Sequence, residues 1–145
     1  MRLRTLWSAV IIPTLMVTAH TALASDWQLV SGDQTLKTYV DTESLAHRGR
    51  YVKAWFLWDY ASVQKGEYFP SNQFQSRKTL WYISCSEKTF AQIQALTYTG
   101  NAGAGKVVTS DAFPVDAAQF EDVVPDSIGE TLVNYVCKRE GAKNR

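Results

Sequence analysis

Tyr51-Val52-Lys53-Ala54-Trp55-Phe56-Leu57-Trp58-Asp59-Tyr60 is the stretch that decides the fold. At the two-residue period of a strand, one face carries Tyr51, Lys53, Trp55, Leu57 and Asp59. The other carries Val52, Ala54, Phe56, Trp58 and Tyr60. Large apolar groups stand on both faces, so a strand with one side in water does not fit. A central strand covered on both sides does.

Moving outward, shorter runs repeat the same chemistry. Trp27 to Val30 reads as a strand ended by the turn cluster Ser31-Gly32-Asp33, and Thr35 to Asp41 as a second strand. Asp41 to Leu45 reads as a short helical turn, with a tight connection at Arg48-Gly49-Arg50. On the far side, residues 61–75 hold Gly66, Pro70, Ser71 and Asn72 and read as a long excursion that packs through Tyr68, Phe69 and Phe74. Lys78 to Cys85 and Thr89 to Thr99 are strands joined by Ser86-Glu87-Lys88. The glycine-rich loop Gly100–Gly105 leads into a strand from Lys106 to Ser110, which together with the preceding strand makes a hairpin.

The last stretch changes period. Ser127-x-x-Glu130 after Pro125 is a capping-box pattern, and Ile128, Leu132, Tyr135 and Val136 follow helical spacing. Cys137 sits near the edge of that stripe. Lys138 and Arg139 suit the negative end of a helix, and Gly141 suits its termination. The fold class is α+β: an antiparallel sheet of about six strands with one C-terminal helix.

The N-terminus is an address. Arg2 and Arg4, an apolar run from Leu6 to Val17 and the triplet Ala22-Leu23-Ala24 are the three parts of a secretory signal. The run is broken by Pro13 and is shorter than the ~20 apolar residues of a spanning helix. Residues 1–24 are therefore expected to be cleaved, leaving 25–145 as a single domain. No cysteine stands at the cleavage point, so no lipid anchor is expected there, and the product is periplasmic or secreted. No other segment is long and apolar enough to span a membrane.

Export gives the cysteines a meaning. Cys85 and Cys137 are the only two, neither lies in a C-x-x-C pair, and an oxidising compartment favours joining them. They stand 52 positions apart, and closing a loop that long is worth roughly 4 kcal/mol in chain entropy.

Charge excludes one class of function. The 145 residues hold 15 Lys+Arg against 14 Asp+Glu, and removal of Arg2 and Arg4 tips the balance just to the acidic side, so a nucleic-acid partner is not supported. Clusters at Arg48, Arg50 and Lys53, at Arg77 and Lys78, and along Lys138, Arg139, Lys143 and Arg145 read first as solvated positions, second as contacts for acidic partners.

Signs of chemistry are weak. Gly100 to Lys106 has the spacing of a phosphate loop, but Val107 stands where Ser or Thr is required, and a strand follows instead of a helix. His47 is the one histidine of the exported domain; Ser44 and Asp41 are near it, without the glycine pattern of a nucleophile elbow. Asp111, Asp116, Glu121, Asp122 and Asp126 lack the alternation of a calcium loop. No catalytic residue, cofactor or metal is expected, and binding residues carry no motif. Trp55, Phe56, Trp58, Tyr60, Trp81 and Tyr82 are concentrated on two strands. One sheet face falls to the helix. The other is left either to the 61–75 excursion or to a second copy of the chain, as a homodimer.

The order of these features resembles the surface-adhesin protein E family of Gram-negative bacteria. The matching residues are Trp27, Tyr39-Val40-Asp41 with Ser44-Leu45, and Val52-Lys53-Ala54-Trp55. Further on they are Ser76-Arg77-Lys78 before Cys85, Tyr98 with the glycine turn, Pro125-Asp126-Ser127-Ile128, and Val136-Cys137-Lys138. The resemblance implies an antiparallel sheet whose C-terminal helix is tethered by the disulfide, often as a dimer. It further implies adhesion, with host extracellular-matrix and serum proteins such as laminin, vitronectin and plasminogen as partners. The family's name-giving adhesin is a lipoprotein, whereas this chain has Ser25 at its cleavage junction. The alternative function is a periplasmic structural or envelope-maintenance protein without a host ligand.

Overall fold

Local turn chemistry sets the hairpins. Asp33 accepts the backbone N–H groups of Thr35 (2.6 Å) and Leu36 (3.0 Å) and the Thr35 hydroxyl (2.7 Å), which reverses the chain between β1 (Trp27–Gly32) and β2 (Leu36–Arg48). Gly49, at φ +61°, takes the left-handed conformation that closes the next turn into β3 (Tyr51–Lys65). β4 (Gln73–Ser84), β5 (Thr89–Tyr98) and β6 (Val107–Ala112) continue the meander. The two-residue β7 (Glu121–Asp122) returns to β5, and α1 (Ile128–Lys143) is the last element among the described residues. The computed structural model describes residues 24–67 and 71–143, so all but the last residue of the expected signal segment 1–24 lies outside the described residues.

All pairings are antiparallel, and the strand order β1-β2-β3-β4-β5-β6 is the order of the sequence. β7 pairs with β5 at Thr89 and Phe90, beyond the end of β6. The expected six-stranded antiparallel sheet with a C-terminal helix is therefore present, with β7 as a short addition.

The central strand has one face covered by the helix and the other covered in part. Val52, Ala54 and Phe56 are buried under α1 with Val40, Trp81 and Ile83, against Leu132, Val133 and Val136 of the helix. Phe56 and Trp81 lie 4.8 Å apart between ring centres, and Trp81 stacks on Phe90 at 4.3 Å. On the opposite face Leu80, Ala91 and Ile93 form a second cluster, joined by Trp55, Tyr82, Ala118 and Phe120. Tyr51 stacks on Phe120 at 4.6 Å. Each fully buried large side chain contributes roughly 1.5–3 kcal/mol, so the three helix residues hold α1 down firmly.

Cys85, just past β4, is bonded to Cys137 of α1, with Cα atoms 5.5 Å apart. This tethers the helix to the sheet. A further link joins the same two layers: His47 Nε2 of β2 lies 2.9 Å from Oε2 of the buried Glu140.

Five local expectations are corrected. Asp41 to Leu45 is not a helical turn: β2 runs on to Arg48, and the register steps from Asp41↔Trp55 to Ala46↔Lys53. The surplus residues bulge out, held because the Ser44 hydroxyl donates to Asp41 O (2.6 Å) and accepts from Trp55 N (2.9 Å). Residues 61–75 are not one long excursion, since β3 continues to Lys65 and β4 begins at Gln73. Phe74 packs edge-on against Tyr60 at 5.8 Å, while Tyr68 and Phe69 lie outside the described residues. The second face is covered in part by residues 118–120 instead.

In the helix, Val133 is in the core while Ile128 at the first turn is 37% exposed, because the buried face centres on Leu132, Val133 and Val136. Gly141 does not end the helix, which runs through it to Lys143. The capping-box residues do cap the helix, shifted by one residue on the return bond: the Ser127 hydroxyl accepts Glu130 N–H (3.1 Å), while Glu130 Oε2 accepts Asp126 N–H (2.9 Å) and Ser127 N–H goes to Val124 O (3.3 Å).

Candidate binding groove on the open face of the sheet

Cross-strand register builds a row of side chains across the face away from the helix: Trp27 opposite Asp41, Asp41 opposite Trp55, Trp55 opposite Leu80, Leu80 opposite Gln94. The neighbouring row runs Leu29, Tyr39, Leu57, Lys78 and Leu96. Between them lies a groove of about 390 Å³ lined by Ser25, Trp27, Asp41, Trp55, Lys78, Gln94, Leu96 and Tyr98. Its aromatic walls are half-buried, as is Lys78.

Lys78 is held between two rings, its Nζ 5.3 Å from the centre of Trp27 and 5.5 Å from that of Tyr98. Gly103, at φ +77°, packs so closely on the lysine stem that any Cβ there would collide with Lys78 Cε. The loop carrying Gly103 is pinned by Asp59, whose Oδ1 accepts Asn101 Nδ2 (3.0 Å) and Ala102 N–H (2.8 Å), and by Ser76, which accepts Gly103 N–H (2.9 Å). Asp41 is buried, and its Oδ1 accepts the N–H groups of Asp26 (2.9 Å) and Glu43 (3.2 Å). Beside the groove-facing Trp27, hydrogen bonds from the Thr42 hydroxyl and then from Gln28 hold the Asp26 carboxyl, which lies outside the groove, below its ordinary value.

Two other clefts that touch the sheet are larger, as is one of about 420 Å³ beside Cys137, Lys138, Gly141 and Ala142 of the helix. One of about 460 Å³ lies at the β1–β2 turn and is lined by Asp33, Lys37, Asp59 and Asn101 among others. The Asp33 and Asp59 oxygens there are already engaged by the turn and the loop. The other, about 440 Å³, lies between Phe90, Gln92, Phe113 and Glu121. Neither presents a cation over aromatic faces.

The residues closest to a triad by sequence are not joined. Ser44 is occupied by Asp41 O and Trp55 N, while His47 faces Glu140. The glycine loop leads into strand β6, so no helix N-terminus meets a phosphate there. Arg50 pairs with Glu87 at 3.5 Å, and Arg48 and Lys53 flank it on neighbouring strands. Arg77 and Lys78 are not one patch, since adjacent strand residues face opposite ways. Arg77 turns to the helix side and meets Gln92 Oε1 at 3.4 Å. Asp111, Asp116, Glu121, Asp122 and Asp126 stay exposed, and Arg145 lies outside the described residues. The groove itself was missed by sequence reasoning. Its signal was present: Trp55 and Leu57 share a face, and their partners on the neighbouring strands follow once the register is known.

The family profile described as surface-adhesin protein E matches residues 27–138. The chain belongs to the surface-adhesin protein E family. Its fold is similar to that of Haemophilus influenzae protein E in crystal form II, with a TM-score of 0.59 at 16% identity, over 86% of this chain and 97% of that one. It is likewise similar to protein E from non-typeable Haemophilus influenzae, with a TM-score of 0.57 at 16% identity, over 87% of this chain and 84% of the other. No curated protein matches the chain significantly. At this identity the structural likeness speaks for the fold, and the family assignment carries the adhesin character. The expected resemblance, the sheet and the tethered helix are thus borne out. Among the described residues, no helix is long and apolar enough to cross a membrane.

Proposed function

We propose that this protein is an exported, non-enzymatic binding domain that attaches to host extracellular-matrix or serum proteins. The observation that carries the reading is the family match, which spans the sheet and most of the helix. Supporting it, the described surface offers an open aromatic face, while the residues nearest to a catalytic arrangement are tied into structural hydrogen bonds. In this reading the signal is cleaved after Ala24, and the domain is residues 25–145.

Self-association as a homodimer belongs to the same reading. β6 is the last strand on its side of the sheet, and Val107 (52% exposed) and Phe113 (55%) stand at that edge as apolar surface for a second copy.

The test is binding of the purified domain to immobilised laminin, vitronectin and plasminogen, with albumin as control. Saturable binding to at least one, above the control, is the expected result. Equal signal on all four surfaces overturns the host-protein reading. A second reading, a periplasmic envelope protein without a host ligand, draws support from the Ala22-Leu23-Ala24-Ser25 junction, which has serine where a lipidated cysteine would stand. Fractionation of native cells into periplasm, outer surface and medium separates the two.

A further inference from the structure

We propose that the groove between Trp27, Trp55 and Tyr98 is a binding site for an acidic sugar, a β-linked hexuronic acid unit of a glycan. The inference stands on the groove alone and does not depend on which protein, if any, the domain adheres to.

Three features select this ligand. The walls are aromatic, and pyranoses of the β-gluco configuration have all substituents equatorial, leaving flat C–H faces that pack on indole and phenol rings. The floor supplies hydrogen-bonding groups suited to hydroxyls: the Gln94 amide, which donates and accepts, and the Asp41 carboxylate. Asp41 Oδ1 already serves two backbone N–H groups, which offsets part of its charge and leaves Oδ2 to accept from a sugar hydroxyl.

The third feature is Lys78. Its ammonium is fixed over the Trp27 and Tyr98 rings, and among the described residues no carboxylate lies within ion-pair distance of it. Gly103 packs on its stem and restricts where the charge can go. An equatorial carboxylate lies near the plane of the sugar ring, so a ring stacked on Trp55, the groove aromatic over which Lys78 does not sit, presents it sideways to this cation. A neutral sugar would leave Lys78 unpaired. At about 390 Å³ the open groove admits one to two rings.

The test uses the full exported domain, residues 25–145, and a tetrasaccharide of alternating glucuronate and N-acetylglucosamine. Chitotetraose is the neutral control, and sialyllactose is a carboxylated sugar of different shape. Tryptophan fluorescence and ¹H–¹⁵N shifts on the unmutated protein should respond to the glucuronate tetrasaccharide. The shifts should centre on Trp27, Trp55, Gln94 and Tyr98, and the affinity should fall as salt rises. Lys78→Gln, which keeps most of the stem, should weaken binding about tenfold or more. Gln94→Ala should weaken it by a smaller factor. No response at millimolar sugar overturns the proposal. So does chitotetraose or sialyllactose binding as well as glucuronate, or a folded Lys78→Gln protein that keeps full affinity. The shifts are read on the unmutated protein, so they decide between these outcomes even where a variant fails to fold.

Discussion

Replacing both cysteines, as Cys85→Ser with Cys137→Ser, should cost stability without changing the fold. The bridge spans a sequence separation of 52 residues. Constraining a loop of that length in the unfolded chain is worth roughly 4 kcal/mol at 25 °C, or less where the unfolded state keeps some structure. Against this, Leu132, Val133 and Val136 are fully buried on the sheet, and each contributes roughly 1.5–3 kcal/mol. The helix therefore stays docked in the double variant under native conditions. The domain nevertheless loses a large share of the ~5–15 kcal/mol that holds a typical native state together. Urea unfolding followed by both far-UV circular dichroism and tryptophan fluorescence reads the change. With a slope of about 2 kcal/mol/M, the midpoint should fall by about 2 M, and the two probes should still coincide. A midpoint shift under about 0.5 M would refute the loop-closure argument. Early loss of the helical signal, with tryptophan fluorescence unchanged, would refute the claim that three apolar side chains suffice to hold α1.

Other consequences can be checked independently. Phe56→Ala empties the centre of the core beneath α1 and should destabilise by about 3–5 kcal/mol in the same urea assay. Ser127→Ala removes the acceptor of the Glu130 N–H and should cost about 1 kcal/mol, with fraying confined to the first helical turn in hydrogen exchange. The lowered Asp26 carboxyl contributes stability that is present above the ordinary carboxylate value of 3.8 and is lost as pH falls through its lower folded value. Thr42→Val removes the largest cause of that lowering, so an NMR titration should show Asp26 moving back up toward 3.8.

Much of the architecture was legible because it is local. Strand period, the Asp33 and Gly49 turns and the capping box at Ser127 are short-range patterns, and a meander needs little more than neighbouring hairpins. What failed to show was non-local. Asp41 to Leu45 has the composition of a helical turn, yet pairing with β3 on either side forces it into a bulge that Ser44 secures. The Pro- and Asn-bearing residues 70–72 suggested a long loop, and the strand pairing of Gln64 with Phe74 shortens it. The groove depends on which residues of five strands stand in one row, and that register is set by the bulges between Leu29 and Ser31, between Asp41 and Ala46, and between Leu80 and Trp81. A sequence reading with no register pairs Lys78 with Arg77, its chain neighbour, and not with Trp27, which is far away in the chain.

The longest-range closure of the meander is made by α1, and it orders events in time. α1 packs on β1 as well as on β3, although Trp27 and Ile128 are about a hundred residues apart. A chain emerging N-terminus first can complete each hairpin as it appears, but the Phe56–Trp81 side of the sheet stays bare until the sixteen residues of α1 arrive. Cys85 waits as a thiol over the same interval, with Cys137 its only lasting partner. Until then the bare side is exposed apolar surface, so neither the core nor the disulfide can be completed before the last helix docks.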